Sequence, residues 1–135
     1  MEKVNILMVD DQPGKLLSYE AMLEELDENL VLARSGREAL QYLLKQDFAL
    51  ILLDVIMPEM DGFETARLIR QHPRLEQMPI IFVTALSTSD LDRHKGYALG
   101  AVDYVFVPVV PEILRAKVSV FVELYRKRQE LQSLN

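Results

Sequence analysis

Polar residues stand where apolar runs stop. Asp10 and Asp11 follow the run at residues 4–9, Asp54 follows 49–53, and Thr84 follows 79–83. A lone aspartate after a strand is usually a turn or helix-cap residue. A set of them on schedule at successive strand ends is a different matter, because three carboxylates would then share one crevice. Uncompensated, those charges repel and their pKa values rise. A hard divalent cation resolves the conflict: Mg²⁺ takes oxygen ligands, keeps several waters, and is held by one or two carboxylates together with phosphate oxygens. An aspartate can also act as a nucleophile and form an aspartyl-phosphate. A metal lowers the repulsion between that carboxylate and an incoming phosphoryl group, and Thr84 could donate its hydroxyl to the same group.

The elements that must position these residues alternate in type. Short apolar runs at 4–9, 29–33, 49–53, 79–83 and 102–107 read as strands. Between them, 15–26 has helical apolar spacing, and Ser35-Gly-Arg-Glu38 opens a helix to about Lys45 as a capping box. Asp61 caps a third helix, 89–99 reads as a fourth ended by Gly100, and Pro111 suits the first turn of a fifth. Strands apolar on both faces, joined by helices, imply a parallel sheet covered on both sides. Right-handed crossovers make it a doubly wound α/β three-layer sandwich with five strands. In such sheets ligands sit beyond the carboxyl ends of the strands, which is where the aspartates fall.

The bulk numbers agree and exclude other classes. The chain has 135 residues, which suits one domain, and is 50% hydrophobic, which argues against disorder. Its net charge of −6 argues against direct nucleic-acid binding. With no cysteine there is no disulfide framework or thiolate chemistry. No signal peptide and no bilayer-length apolar run is present, so a soluble cytoplasmic protein is expected, with no membrane contact. No G-x-G-x-x-G follows the first strand, which disfavours a dinucleotide enzyme. His72 and His94 read as surface residues, and Met57, Met60 and Met78 as packing.

VNILMVDDQP at the first strand, ILLDVIMPEMDGFE at the third, PIIFVTAL at the fourth and DYVFVP at the fifth resemble the receiver domain of two-component response regulators. The resemblance runs over residues 4–125, and its most specific part is Asp54 followed by Met57-Pro58 and Asp61-Gly62. It implies the flavodoxin-like strand order 2-1-3-4-5. It implies Asp54 as phosphoacceptor, with a histidine kinase or phosphotransfer protein as donor. Mg²⁺ (or Mn²⁺) is then held by Asp11 and Asp54 directly, by Asp10 through water, and by the backbone carbonyl of Ile56. Thr84 resembles the switch hydroxyl, Tyr104 the switch aromatic, and Ala85 the small residue that admits phosphate. The chain would be no enzyme beyond its own phosphotransfer and dephosphorylation, although such domains also occur in hybrid kinases. A homodimer through the fourth and fifth helices is a further expectation.

One position departs from the pattern. Where the family has Lys-Pro at the end of the fifth strand, this chain has Val107-Pro108. A hydrogen bond to a charged group is worth about 1.5–3 kcal/mol, so its loss should weaken switching while metal binding survives or tightens. Lys117 is too far along the last helix to be taken as a substitute. The family's cis bond is implied at Val107–Pro108, although X-Pro chemistry alone sets only a low cis fraction. Ile56 and Leu86, which flank the path of hydrolytic water in the family, are apolar and cannot orient water. Slow autodephosphorylation follows, unless Ile56 merely packs the loop.

Residues 1–125 are read as the receiver and 126–135 as an extension of the last helix. At 1.5 Å per residue that helix spans roughly 35 Å, against about 17–20 Å for a strand, so its final third projects. It is either a coiled-coil or linker segment toward an output module or a solvated end. Two other functions stand beside the switch. A pseudo-receiver that docks or dimerises without phosphate is favoured by Val107. A phosphatase on a similar sheet is disfavoured, because Ile56 stands where that chemistry wants a general acid.

Overall fold

The computed structural model describes residues 2–85 and 103–134. The predicted fourth helix, Leu86 and His94 lie outside these residues. The strands are β1 (Asn5–Val9), β2 (Asn29–Ala33), β3 (Leu50–Asp54), β4 (Ile80–Thr84) and β5 (Asp103–Phe106), and the helices between them are α1 (Pro13–Leu23), α2 (Gly36–Lys45) and α3 (Gly62–Gln71), with a C-terminal helix at Pro111–Ser133. All strand pairs are parallel, in the order β2-β1-β3-β4-β5. This is the doubly wound sheet and the 2-1-3-4-5 order that the sequence and its resemblance imply.

Successive strand side chains point to opposite faces, and each face feeds its own core. Leu7, Val9, Ile51, Leu53, Ile80 and Phe82 pack with Ala39, Leu43, Ala66 and Ile69 of α2 and α3. Ile6, Met8, Leu50, Leu52, Ile81 and Val83 pack with Leu16, Tyr19 and Leu23 of α1 and with Leu114, Val118 and Val122 of the C-terminal helix. A fully buried Leu or Ile side chain contributes about 1.5–3 kcal/mol, so the uninterrupted apolar strands are what fix a sheet covered on both faces.

Element ends differ from the sequence reading by a few residues, for identifiable reasons. The ladder extends to Asp54 and Thr84, polar residues that an apolar run does not include. The helix expected at 15–26 begins earlier, because Pro13 fits a first helical turn. It gives way at Glu24 to a 3-10 turn that ends on Asp27, whose φ of 54° is left-handed. Ser35 caps α2 as expected, its hydroxyl accepting from the Glu38 N–H at 3.1 Å. The returning Glu38 carboxylate accepts from the Arg34 N–H at 3.4 Å, one residue before the cap. Asp61 caps α3 through the Glu64 N–H at 2.8 Å.

Candidate phosphoacceptor and metal site

Parallel pairing brings the ends of β1, β3 and β4 side by side. The Asp10 N–H donates to the Ala33 carbonyl at 3.1 Å, which carries the ladder one residue past β1 and aims the chain into the crevice. Asp10 is 1% exposed and Asp54 6%, while Asp11 is half-buried. One carboxylate oxygen from each of Asp10, Asp11 and Asp54 falls within 4.8 Å of the others. One Asp10 oxygen accepts the Gln12 N–H at 2.9 Å, and one Asp54 oxygen accepts the Ile56 N–H at 3.3 Å. Asp10 Oδ2 and Asp11 Oδ1 are buried and, among the described residues, have no hydrogen-bond partner.

The electrostatics follow. Burial, then the Asp10 charge, pushes Asp54 up to about 6, against the pull of the Ile56 N–H and the Lys15 ammonium. Burial raises Asp10 as well, helped by Asp11 and opposed by the Gln12 N–H and Lys15. Buried carboxylates with orphaned oxygens and one another as neighbours are costly unless a cation joins them. The donor set is all oxygen and acidic, which suits Mg²⁺ or Mn²⁺. The group therefore fits a hard divalent ion.

Thr84 is fully buried at the end of β4. Its carbonyl accepts the Val107 N–H at 3.0 Å, so position 107 reaches the crevice by its backbone. The Val107 side chain brings no charge, and the Val107–Pro108 bond is cis. Register sets Tyr104 beside Phe82 and Phe106 beside Thr84, so these four share one face. The Tyr104 ring lies 5.6 Å from Phe82 and 6.2 Å from Phe106, the latter pair within 11° of parallel. Lys117 is held by Asp103 and does not reach the aspartates. Ile56 is 57% exposed, so it does not pack the loop.

Three residues escaped the sequence reading. Lys15 is the cation that lowers both Asp10 and Asp54, and its place four residues after Asp11 was the available signal. Tyr19, one turn further along α1, is pushed up to about 12 by burial and by Asp10 and Asp54. Phe106 covers the Tyr104 ring, a contact that follows from alternation along β5.

The response regulator receiver domain profile matches residues 6–119. The chain belongs to that family. It is 36% identical over 135 residues to a probable cyclic di-GMP phosphodiesterase of Vibrio cholerae, covering all of this chain and 30% of that protein. It is 35% identical over 116 residues to response regulator Rre1 of Synechocystis, covering 85% of this chain and 50% of the relative. Vibrio cholerae chemotaxis protein CheY4 superposes with a TM-score of 0.81 at 28% identity, covering 88% of this chain and 98% of that one. This receiver domain thus spans half or less of the length of these two curated relatives. No helix among its described residues is long and apolar enough to cross a membrane.

Proposed function

We propose that this receiver takes a phosphoryl group on Asp54 from a phosphohistidine of a histidine kinase or phosphotransfer protein. An Asp54 carboxylate oxygen bonds to phosphorus as the phosphorus–nitrogen bond breaks, and the imidazole leaves with its electron pair and is protonated. The observation that carries this reading is the convergence of the Asp10, Asp11 and Asp54 oxygens within 4.8 Å. Asp11 and Asp54, with Asp10 through water and the Ile56 carbonyl, would hold Mg²⁺ or Mn²⁺. When bound, the ion offsets negative charge between the carboxylate and the incoming group. Thr84 then moves toward the phosphoryl group and donates to one of its oxygens, and Tyr104, on the same face of the sheet, turns inward as Thr84 moves. The exposed Ile56 side chain leaves the water path without a polar guide, and a long-lived phosphoryl group follows. The domain catalyses no reaction but its own phosphorylation and dephosphorylation. It works in the cytoplasm, with residues 126–135 leading from the receiver at 1–125 toward an output module.

A second reading is favoured by Val107: a pseudo-receiver that docks partners without responding to phosphate. Acetyl phosphate with Mg²⁺, followed by intact mass, separates the two. Addition of one phosphoryl group to the chain, lost in Asp54→Asn, supports the switch. An unchanged mass would leave the docking module.

A further inference from the structure

Lys15 stands beside the acidic crevice with its charge uncommitted. It lies in the first turn of α1, where its N–H donates to the Gln12 carbonyl at 3.1 Å, and the Gln12 N–H in turn donates to Asp10 Oδ1 at 2.9 Å. One helical turn thus ties it to the aspartates. Side chains in a helix lean toward its amino terminus, which here is the end that meets the crevice. Lys15 is partly buried and, among the described residues, its ammonium pairs with no carboxylate. Cations of the C-terminal helix, which packs on the same face of the sheet, are engaged elsewhere: Arg115 with Glu25, Lys117 with Asp103, Arg126 with Glu28.

The sheet turns its acidic side chains toward α1. Val9 of β1 is in register with Leu53 of β3, so Asp10 and Asp54 follow side by side. By alternation Asp54 shares a face with Leu50 and Leu52, and on that face α1 packs Leu16, Tyr19 and Leu23. Tyr19 is buried one turn beyond Lys15, so the two neighbour each other along the helix. The Lys15 charge acts on Asp10 and on Asp54 without an ion pair to either. Its three rotatable donors, on a flexible four-carbon stem, are left for another acceptor.

A phosphoryl group is that acceptor. Even with a divalent ion bound, the carboxylates of Asp10, Asp11 and Asp54 leave the crevice negative, and a phosphoryl group adds about 1.5–2 further negative charges. We propose that Lys15 binds the phosphoryl oxygens during and after transfer to Asp54, supplying from α1 the positive charge that position 107 lacks. The inference rests on Asp54 as the acceptor. The ammonium donates hydrogen bonds and keeps its protons, so the bonds that break and form remain those of phosphorus to the donor nitrogen and to Asp54.

Phosphorylation by acetyl phosphate at saturating Mg²⁺, followed by intact mass, tests it. Lys15→Gln is expected to slow labelling about ten- to a hundredfold with unchanged circular dichroism, although its Mg²⁺ affinity rises. Damage to the fold or to the ion site would lower both together. Lys15→Arg, which keeps the charge, should recover most of the rate, and Lys45→Gln, an exposed lysine at the far end of α2, should leave it unchanged. Beryllofluoride, a tetrahedral stand-in for a phosphoryl group on a carboxylate, should bind the Lys15→Gln chain about tenfold more weakly than the parent, a readout that needs no transfer. Val107→Lys should speed the Lys15→Gln chain by more than it speeds the parent, because one cation then stands in for the other. Equal labelling rates and equal beryllofluoride affinities for Lys15→Gln and the parent would overturn the inference and leave Asp54 as acceptor. A parent that takes no phosphoryl group would end that reading and the inference with it.

Discussion

Lys117 Nζ lies 2.6 Å from Asp103 Oδ2 and 3.4 Å from the Tyr104 carbonyl. This pins the C-terminal helix to the start of β5, the end of the strand away from the aspartates. The one lysine in the first turns of that helix is thus committed to the scaffold, and nothing from it replaces the cation absent at Val107. Val107→Lys should therefore restore positive charge beside the acidic crevice and weaken Mg²⁺ binding by about tenfold, roughly 1.4 kcal/mol. Lys117→Met should leave Mg²⁺ affinity unchanged and cost about 0.5–1 kcal/mol of stability, as an ion pair about one-third exposed does. Isothermal titration of Mg²⁺ reads both, and tighter binding by the Val107→Lys chain would contradict the assignment.

Asp54 couples stability to pH. Its folded pKa is raised from 3.8 to about 6, so between those values the folded chain holds a proton that the unfolded chain releases. The stabilisation is complete below about pH 4 and is lost as pH rises through about 6, amounting to about 3 kcal/mol without metal. Asp54→Asn removes this loss. It should be more stable than the parent by about 1–3 kcal/mol at pH 8 and equal to it at pH 4. Asp10, raised in the same direction, keeps a residual slope. Urea unfolding across this range decides it: a variant less stable than the parent at pH 8 would refute the claim.

Lys15 lowers both Asp10 and Asp54 from the first turn of α1. With Lys15→Gln the Asp54 midpoint should move further up. Mg²⁺ should bind about two- to tenfold more tightly once that competing cation is gone. Carboxyl carbon NMR follows the midpoint directly, and a midpoint that stays in place would remove Lys15 from the site.

The sequence displays the aspartates because they interrupt apolar runs, and a parallel sheet leaves those interruptions at one edge. The strand order is less visible: right-handed crossovers permit more than one, and here it came through the family resemblance. What depends on angles between elements is not written in the runs at all. Lys15 and Tyr19 of α1 lie close enough to Asp10 and Asp54 to exchange charge effects with them. Lys117 meets Asp103 across 14 residues, and the Glu38 carboxylate bonds Arg34 instead of its own cap. Each is a choice among neighbours that spacing leaves equivalent.

Gly62 shows how closely β3 is tied to α3. Its N–H donates to the Val55 carbonyl at 2.8 Å. A Cβ at position 62 would run into the Asp54 carbonyl oxygen and the Val55 Cα, which are backbone and cannot rotate aside. Relief can come only by shifting the loop after β3, and that loop carries the Ile56 N–H that holds the Asp54 carboxylate. Gly62→Ala should cost about 1–3 kcal/mol as overpacking does and lower Mg²⁺ affinity at the same time. Gly14→Ala is the matched comparison, since a Cβ there meets nothing within 4 Å. In the first turn of α1 it should gain up to about 1 kcal/mol of helix stability with metal binding intact. Urea unfolding and Mg²⁺ titration of the pair decide the matter: if Gly62→Ala lost stability but bound Mg²⁺ as the parent does, the loop would not be what sets the Asp54 carboxylate.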